Sequence, residues 1–324
     1  MDLTEWETKL KDIIILYTGN RKPDPFMKWF KQKDSEGFFA GDFERVLTIL
    51  IDARFDQKTT AEKALEYTQA VVQMGVLKSL VARSELPLLV PREKMTAEKW
   101  TALFCSSLSS LHELAKRIVD QGEWDAAELL RLMKYEFKVP YLGVKTSRLA
   151  VRWLHELVPR IKIDMFTYSI PVDSLVYRVC CRLGVIDPNS DKYHGEGSPA
   201  DVKIQAFVRR IWPEKSWLLD EPFWSAGRRP ERGGHCFPQN PNCHGCLFES
   251  ICPRKLLDTD PVKLGMEAPN TRKWLTPVAF QKKPVITQRQ TEFAKFVEGL
   301  EQKGIRGEEW REKVKQWQRE HGSE

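Results

Sequence analysis

Four of the seven cysteines in this chain lie in one short segment. They are Cys236, Cys243, Cys246 and Cys252, and their spacing is C-x6-C-x2-C-x5-C. Four thiolates that converge from one loop are able to bind a tetrahedral metal ion or one cubane iron–sulfur cluster. Two disulfides are an alternative, but a chain of 324 residues with no other sign of paired cysteines is not built as a disulfide scaffold.

Structural zinc competes with an iron–sulfur cluster for the same ligands. A zinc site usually combines two C-x2-C knuckles that lie some distance apart. This segment has one such knuckle, Cys243 to Cys246, and its flanking arms differ in length, so the spacing favours a cluster. His235 and His244 adjoin the cysteines, but a set of four thiolates is complete without them. The remaining cysteines are expected to be thiols in or near the core: Cys105, Cys180 and Cys181.

The segment from Val139 to Ser147, with the sequence VPYLGVKTS, carries a second group that could take part in chemistry. Its proline and Gly143 predict a turn that opens a helix, and the first N–H groups of a helix are free to bind a phosphate oxygen. Lys145 would lie in the first turn of that helix. Taken alone, the segment is an ordinary joint between two helices, and Lys145 is a solvated lysine.

A carboxylate opens a further helix downstream. Asp173 follows Pro171 and Val172, and the apolar residues after it recur at helical spacing: Leu175, Val176 and Val179. An aspartate in this position is the N-cap of its helix, a role that stabilises the helix by about 1 kcal/mol. Because a capping carboxylate is held rigidly, capping is compatible with a role in catalysis.

Together, the lysine in a helical hairpin, the aspartate after Pro-Val and the four-cysteine segment resemble the endonuclease III branch of the helix-hairpin-helix DNA glycosylases. The resemblance covers roughly residues 43–253 and is most specific at the cysteine segment and between Val172 and Cys180. It implies that the four cysteines bind a 4Fe–4S cluster, that Lys145 attacks the sugar and that Asp173 is the catalytic carboxylate. It also implies a mainly α-helical, two-domain fold that binds double-stranded DNA in the groove between its domains.

The activity implied by this resemblance is base excision repair by a DNA glycosylase with AP lyase activity. The damaged base, which we expect to be oxidised, must leave the helical stack, at a cost on the order of a few kcal/mol. The amine of Lys145 would displace the base and form a Schiff base that permits β-elimination, while Asp173 stabilises the cationic sugar. The alternatives are a monofunctional glycosylase in which Lys145 is structural, and a cluster-bearing DNA-binding protein without catalysis. An electron carrier would not explain the long helical scaffold.

Three differences from the family pattern concern the hairpin and the catalytic residues. Tyr141 replaces the first glycine of the family's Leu-Pro-Gly-Val-Gly sequence, so the backbone contact with phosphate would be altered. The interval between Lys145 and Asp173 is longer than in the family, which predicts an insertion around residues 156–165. The family's histidine two residues after the aspartate is Leu175 here. These differences bear on the substrate more than on the type of reaction.

A fourth difference lies in the helix predicted between Phe43 and Gln57. In the family this helix ends in a glutamine that fills the gap left by the flipped base, and the aligned residue here is Arg54. An arginine could donate hydrogen bonds to O6 and N7 of the unpaired guanine. An exposed arginine at the end of a helix, with no role in DNA binding, is the alternative.

Hydrophobic periodicity predicts helices along most of the chain, whereas strand patterns are scarce. The first helix has one apolar face, formed by Leu3, Trp6, Leu10, Ile13, Ile14 and Tyr17. The helix before Gln57 has an apolar stripe formed by Phe43, Val46, Leu47, Leu50 and Ile51. We predict an N-terminal helical segment that packs with the cluster domain, a helical bundle with the hairpin, the cluster domain, and a C-terminal extension with two short helices. Their ranges are 1–42, 43–165, 166–255 and 256–324.

The composition is that of a soluble globular protein with an anionic partner. The net charge is +6 and the isoelectric point is about 8.8, although 45 acidic residues are mixed with the basic ones. The chain lacks the pattern of a signal peptide and an apolar stretch of membrane-spanning length. We expect a monomer that binds damaged duplex DNA, either at the nucleoid of a prokaryotic cytoplasm or in the nucleus or mitochondria of a eukaryote. The predicted phosphate contacts flank the cysteine segment: Arg228, Arg229, Arg232, Arg254 and Lys255.

Overall fold

The computed structural model of the chain describes most residues before position 254. The described residues are 3–20, 24–56, 60–78, 89, 96–188, 190–228, 234–236, 241–253 and the isolated positions 296, 300, 309, 312, 313 and 316. Most of the predicted C-terminal extension lies outside them, as do Arg229, Arg232, Arg254 and Lys255. Within the described part of the chain, no helix combines the length and the apolar character needed to cross a bilayer.

The described residues are mainly α-helical, as the sequence predicts. The helices are α1 (Leu3–Asn20), α2 (Pro25–Ser35), α3 (Asp42–Asp56), α4 (Ala61–Gln73), α5 (Ala97–Gln121), α6 (Ala126–Arg131), α7 (Val144–Leu157), α8 (Ser174–Leu183), α9 (Pro199–Ile211) and α10 (Asp220–Gly227). A π-helical turn covers Leu132–Glu136, and 3-10 turns cover Met165–Thr167 and Ser216–Leu219. Two short strands, β1 (Glu123–Asp125) and β2 (Lys162–Asp164), pair in parallel.

The contacts within the chain define two compact units. We call Lys22–Pro171 the hairpin unit, because it contains α6 and α7. We call Met1–Arg21 together with Val172–Glu324 the cysteine unit. The boundaries differ from the predicted ones: α2 belongs with the hairpin rather than with α1, and the second boundary falls after Pro171.

Helix α3 is the centre of the hairpin unit. It packs against α4, α5 and α7, and every residue from Val46 to Phe55 is buried. The polar residues Thr48, Asp52 and Arg54 are therefore buried together with the apolar stripe. The carboxyl group of Asp52 accepts a hydrogen bond of 2.7 Å from the Thr68 hydroxyl, and burial raises the pKa of Asp52 well above its usual value.

The small parallel sheet connects the two ends of the hairpin. Trp124 in β1 is paired with Ile163 in β2, so the start of α6 lies beside the segment that follows α7. The Asp125 side chain caps α6 and accepts a hydrogen bond of 2.8 Å from the Thr167 hydroxyl. The insertion predicted around residues 156–165 thus contains the end of α7 and strand β2.

The cysteine unit combines the N-terminal helix with α8, α9 and α10. The indole Nε1–H of Trp6 donates a hydrogen bond of 2.8 Å to the carbonyl of Ile251, which ties α1 to the end of the cysteine segment. Helices α8 and α10 pack closely where Gly227 meets Leu175. A Cβ at Gly227 would lie 2.8 Å from the Leu175 Cβ, so this contact requires glycine.

Candidate active site and metal centre

The turn of the hairpin has unusual backbone geometry at Tyr141. Its φ is +65°, in the left-handed region, and the N–H of Leu142 closes the turn by donating a 3.0 Å hydrogen bond to the Val139 carbonyl. Gly143, the N-cap of α7, has a φ of −77° that any residue could adopt. The conformation that favours glycine therefore falls on Tyr141, where the resembling family has its first glycine.

The Tyr141 side chain packs inside the hairpin unit. Its ring makes an edge contact with Trp100, with ring centroids 4.8 Å apart. A left-handed conformation costs a bulky residue about 1–2 kcal/mol, and an aromatic pair contributes about 0.5–1.5 kcal/mol beyond burial. The ring contact thus offsets part of the backbone strain.

Lys145 lies in the first turn of α7 and forms an ion pair with Asp56 at the end of α3. The Lys145 Nζ and the Asp56 Oδ2 are 3.4 Å apart. The two side chains are 33% and 13% exposed, respectively. Sequence reasoning missed Asp56, because the partner is 89 residues away and only the packing of α3 on α7 joins the two.

Asp173 is the N-cap of α8, which confirms the structural role predicted for it. Its Oδ1 accepts hydrogen bonds from the N–H groups of Leu175 and Val176, at 2.8 and 3.1 Å. Asp173 belongs to the cysteine unit and Lys145 to the hairpin unit. Within its own unit, each predicted catalytic residue lies at the start of a helix.

Arg54 is wholly buried, so the alternative of an exposed helix-end arginine is wrong. Its guanidinium carbon lies 4.9 Å from the ring centroid of Trp100 and 5.0 Å from that of Phe104. The ring centroids of Tyr141 and Phe55 lie 5.8 and 5.9 Å from the same guanidinium carbon. Burial lowers the pKa of Arg54 to about 9. A guanidinium in this position does not reach a DNA base unless the aromatic side chains around it move.

The four cysteines of the predicted metal site line one pocket, together with Arg182, His235, Pro241 and Glu249. The pocket begins where the N–H of Cys236 donates a 2.7 Å hydrogen bond to the carbonyl of Ala226 in α10. A turn then joins Cys243 to Cys246, with 3.2 Å between the Cys246 N–H nitrogen and the Cys243 oxygen. All seven cysteines are free thiols, so the disulfide alternative finds no support.

Two arginines of α8 support this pocket from one side. The Arg178 guanidinium donates hydrogen bonds to the carbonyls of Cys236 and Gly227, at 2.6 and 2.5 Å. Arg182 donates a hydrogen bond of 3.4 Å to the Cys236 sulfur, and its carbonyl accepts one of 3.4 Å from the Cys252 thiol. Sequence reasoning missed both arginines, although their separation of four residues places them on one helix face.

The donor types fit a thiolate-bound metal group. Burial raises the pKa of Cys246 to about 11, and the neighbouring Cys236 and Cys243 also raise it, so ionised thiols here need a cation. Among the residues that the structure describes, no group of three or more His, Cys, Asp or Glu side chains is arranged to hold a metal ion. The four cysteines line one pocket.

Arg228 is the one predicted phosphate contact at the cysteine segment that lies within the described ranges. Its guanidinium carbon lies 3.7 Å from the ring centroid of Trp224, and the residue is only partly exposed. This stacking fixes Arg228 beside α10.

Comparisons with known proteins add no identification: no protein-family model, curated protein or solved structure matches this chain.

Proposed function

We propose that this chain is a helix-hairpin-helix DNA glycosylase with AP lyase activity that acts on a damaged base in duplex DNA. The observation that carries the proposal is the ion pair between Lys145 and Asp56 at the opening of α7. A partly buried amine beside a carboxylate provides both a nucleophile and a proton acceptor. The hairpin turn with its left-handed residue at Tyr141 gives further support.

The reaction requires a neutral amine, and Asp56 is placed to accept the proton of Lys145. The lysine nitrogen then forms a bond with the anomeric carbon of the sugar as the bond to the base breaks. The base leaves with the electron pair of that bond and takes up the proton that Asp56 had accepted. Ring opening gives a Schiff base, which allows loss of a proton from the adjacent carbon and departure of the 3′ phosphate. In this proposal, the carboxylate of Asp173 stabilises the positive charge that develops on the sugar.

We further propose that Cys236, Cys243, Cys246 and Cys252 hold a 4Fe–4S cluster. When bound, the cluster would supply a crosslink between distant parts of the segment rather than reaction chemistry. Thiols that surround a pocket suit a group with several metal atoms better than a single zinc ion, whose sulfur ligands lie at about 2.3 Å. The buried guanidinium groups of Arg178 and Arg182 would offset negative charge there.

The absorbance spectrum of the anaerobically purified protein tests the cluster. A brown protein with a broad visible band, and with iron bound in a ratio of about four per chain, is the expected result. A colourless protein that contains one zinc ion per chain would show that the four cysteines form a structural zinc site instead.

The hairpin unit would be the helical bundle of the glycosylase fold, and the cysteine unit would be its cluster domain. The chain would act as a monomer on damaged DNA, at the nucleoid of a prokaryote or in the nucleus or mitochondria of a eukaryote.

Borohydride trapping on a panel of lesion duplexes tests the lyase activity. Borohydride reduces the Schiff base to a stable covalent adduct between protein and DNA, so the wild type should form an adduct on at least one lesion. Lys145→Gln should form none, while Lys116→Gln, which changes an exposed lysine on α5, should behave like the wild type. Equal trapping by the wild type and Lys145→Gln on every lesion would refute the assignment.

The same ion pair also favours a second candidate, a monofunctional glycosylase. A lysine held by Asp56 could stabilise the packing of α3 on α7 without reacting. In that case base release would persist in Lys145→Gln, and strand cleavage would require added alkali. Binding to damaged DNA with no base release on any lesion would instead indicate a DNA-binding protein without catalysis.

A further inference from the structure

Two tyrosine hydroxyls join the loop between α8 and α9 to the beginning of α8. The Tyr193 hydroxyl donates a hydrogen bond of 2.5 Å to the carbonyl of Val172, which precedes the helix. The Tyr177 hydroxyl, on α8 itself, donates one of 3.2 Å to the carbonyl of Asp191 in the loop. The two rings stack, with centroids 5.8 Å apart and an interplanar angle of 29°. The loop and the start of α8 are therefore held together from both directions.

Asp191 anchors this loop to the rest of the cysteine unit. Its side chain is 4% exposed, and its Oδ1 accepts a hydrogen bond of 2.6 Å from the Lys203 Nζ on α9. Its Oδ2 accepts one of 2.8 Å from the N–H of Asp187, so both oxygens of the carboxylate are bonded. A buried polar network with its partners in place is rigid. Tyr193, two residues further along, thus extends from an ordered loop.

The hydrogen bond from Tyr193 reaches the peptide group that carries Asp173. The carbonyl of Val172 and the N–H of Asp173 belong to one planar peptide unit, so a bond to this carbonyl fixes the orientation of that plane. On its other side, the Oδ1 of Asp173 is held by the N–H groups of Leu175 and Val176. The Asp173 carboxylate is therefore constrained by α8 through its side chain and by Tyr193 through its backbone.

We propose that Tyr193 is a positioning residue for the carboxylate of Asp173, an inference that rests on the catalytic role proposed for Asp173. A misplacement of about 1 Å at a reacting group lowers a rate by about 100-fold, so the backbone that carries a catalytic carboxylate must be held in place. The capping bonds define the carboxylate relative to α8, and the bond from Tyr193 defines the peptide from which it extends. Tyr193 acts through Asp173, and its hydroxyl takes part in no bond that forms or breaks.

The stacked pair of tyrosines provides a matched comparison. Tyr193→Phe and Tyr177→Phe each remove one hydroxyl and keep the ring. Only Tyr193→Phe loses the contact with the peptide before Asp173, whereas Tyr177→Phe loses a contact with the loop. The anchor between Asp191 and Lys203 stays in both variants. A difference between the two variants therefore reports on the peptide before Asp173 and not on the loss of a hydroxyl from this loop.

Hydrogen exchange of the full chain, followed by mass spectrometry, tests the positioning without any substrate. The peptide to follow is the one that contains the capped N–H groups of Leu175 and Val176. We expect these groups to exchange about tenfold faster in Tyr193→Phe, since exchange reports local opening and the opening is opposed by one hydrogen bond fewer. Tyr177→Phe should exchange at the rate of the wild type, and melting curves show that both variants are folded.

Single-turnover base release and duplex binding test the consequence for the reaction. On a lesion that the wild type excises, Tyr193→Phe should release the base about tenfold more slowly, which corresponds to about 1.4 kcal/mol in the barrier. Its affinity for the same duplex should stay within about twofold of the wild type, as should both quantities in Tyr177→Phe. A residue that only supports the fold would not slow base release while leaving binding intact.

Two results would overturn the proposal. One is exchange of the Leu175 and Val176 N–H groups at the same rate in Tyr193→Phe and the wild type. The other is an equal loss of base release in Tyr193→Phe and Tyr177→Phe. If Tyr193→Phe does not fold, Asp191→Asn, which weakens the anchor at Lys203, should show the same changes to a smaller extent, and unchanged exchange in that variant counts against the proposal.

Failure of the proposed function gives a different pattern. If the wild type releases no base from any lesion, the glycosylase assignment fails and Asp173 has no carboxylate chemistry to be positioned for. Hydrogen exchange would then show only whether Tyr193 orders the start of α8. If base release by the wild type is normal and only the exchange and rate differences are missing, the positioning role alone is refuted.

Discussion

Lys145 and Asp56 face each other across two packed helices, with 3.4 Å between Nζ and Oδ2. Asp56 is the last residue of α3, and Lys145 is the second residue of α7. Both belong to the hairpin unit, so this carboxylate adjoins the proposed nucleophile without any contribution from the cysteine unit. The resemblance to the endonuclease III branch directs attention to Asp173, but the structure places a second carboxylate directly beside the amine.

Asp56→Asn should lower the rate of adduct formation with damaged DNA by about 100-fold, since the positioned proton acceptor is lost. The pH–rate profile should change as well, which a purely structural role would not cause. Asp56→Glu should restore part of the rate. Asp120→Asn, at an exposed position of α5, is the matched control. An unchanged rate and pH profile in Asp56→Asn would mean that the ion pair only supports the packing of α3 on α7.

Two substitutions at Asp173 separate its capping role from its proposed catalytic role. Asparagine caps helices about as well as aspartate, so Asp173→Asn should retain the stability of the protein and lose the carboxylate. Asp173→Ala should lose both, and its free energy of unfolding should fall by about 1 kcal/mol. We expect base excision to fall by at least about 100-fold in both variants. Full activity of Asp173→Asn would leave capping as the whole role of this residue.

The helical fold was predictable because its signals are local. The apolar face of α1 is confirmed where Trp6, Leu10 and Ile14 are buried, and Gly122 ends α5 with a left-handed φ of +71°. Sequence periodicity alone indicates one buried face for α3. The structure surrounds α3 with three helices, so Asp52 and Arg54 are enclosed as well. The number of neighbours of a helix depends on packing between distant segments, which a local pattern does not contain.

The candidate sites also depend on contacts between distant segments, which the local sequence does not predict. Four closely spaced cysteines were sufficient to predict their common pocket. By contrast, Asp56 and the arginines of α8 come from other parts of the chain. Arg54 was assigned to DNA binding from an alignment of one helix, and its burial depends on Trp100 and Tyr141 in two further segments.

The backbone at Tyr141 can be tested by comparing two substitutions that remove the same ring. Tyr141→Gly and Tyr141→Ala both lose the contact with Trp100, but only glycine adopts a φ of +65° without strain. Tyr141→Gly should therefore be more stable than Tyr141→Ala by about 1 kcal/mol in urea unfolding. Gly143→Ala, at a position where φ is −77°, should show no such advantage of glycine over alanine. Equal stability of the two Tyr141 variants would mean that the turn relaxes when the ring is removed.

Arg54→Met should raise the free energy of unfolding at pH 7 by about 1–3 kcal/mol, because methionine fills the space without a buried charge that has no acceptor among the described residues. The increase in free energy of unfolding over the wild type should be smaller at high pH. Burial lowers the pKa of Arg54 to about 9 in the folded protein, well below the value of the free side chain. Between these values the unfolded chain binds more protons than the folded one, so the wild type gains stability from this group as the pH rises above about 9.

Urea unfolding of the wild type and Arg54→Met at pH 7, 9 and 10.5 measures the difference directly, since other groups that titrate are common to both proteins. We expect the difference in free energy of unfolding between the two proteins to be largest at pH 7 and smaller at pH 10.5. If the wild type is the more stable protein at pH 7, the attraction of the aromatic rings for the guanidinium exceeds the penalty of its burial. Arg54 would then be a stabilising element of the hairpin unit, held by the rings of Trp100 and Phe104.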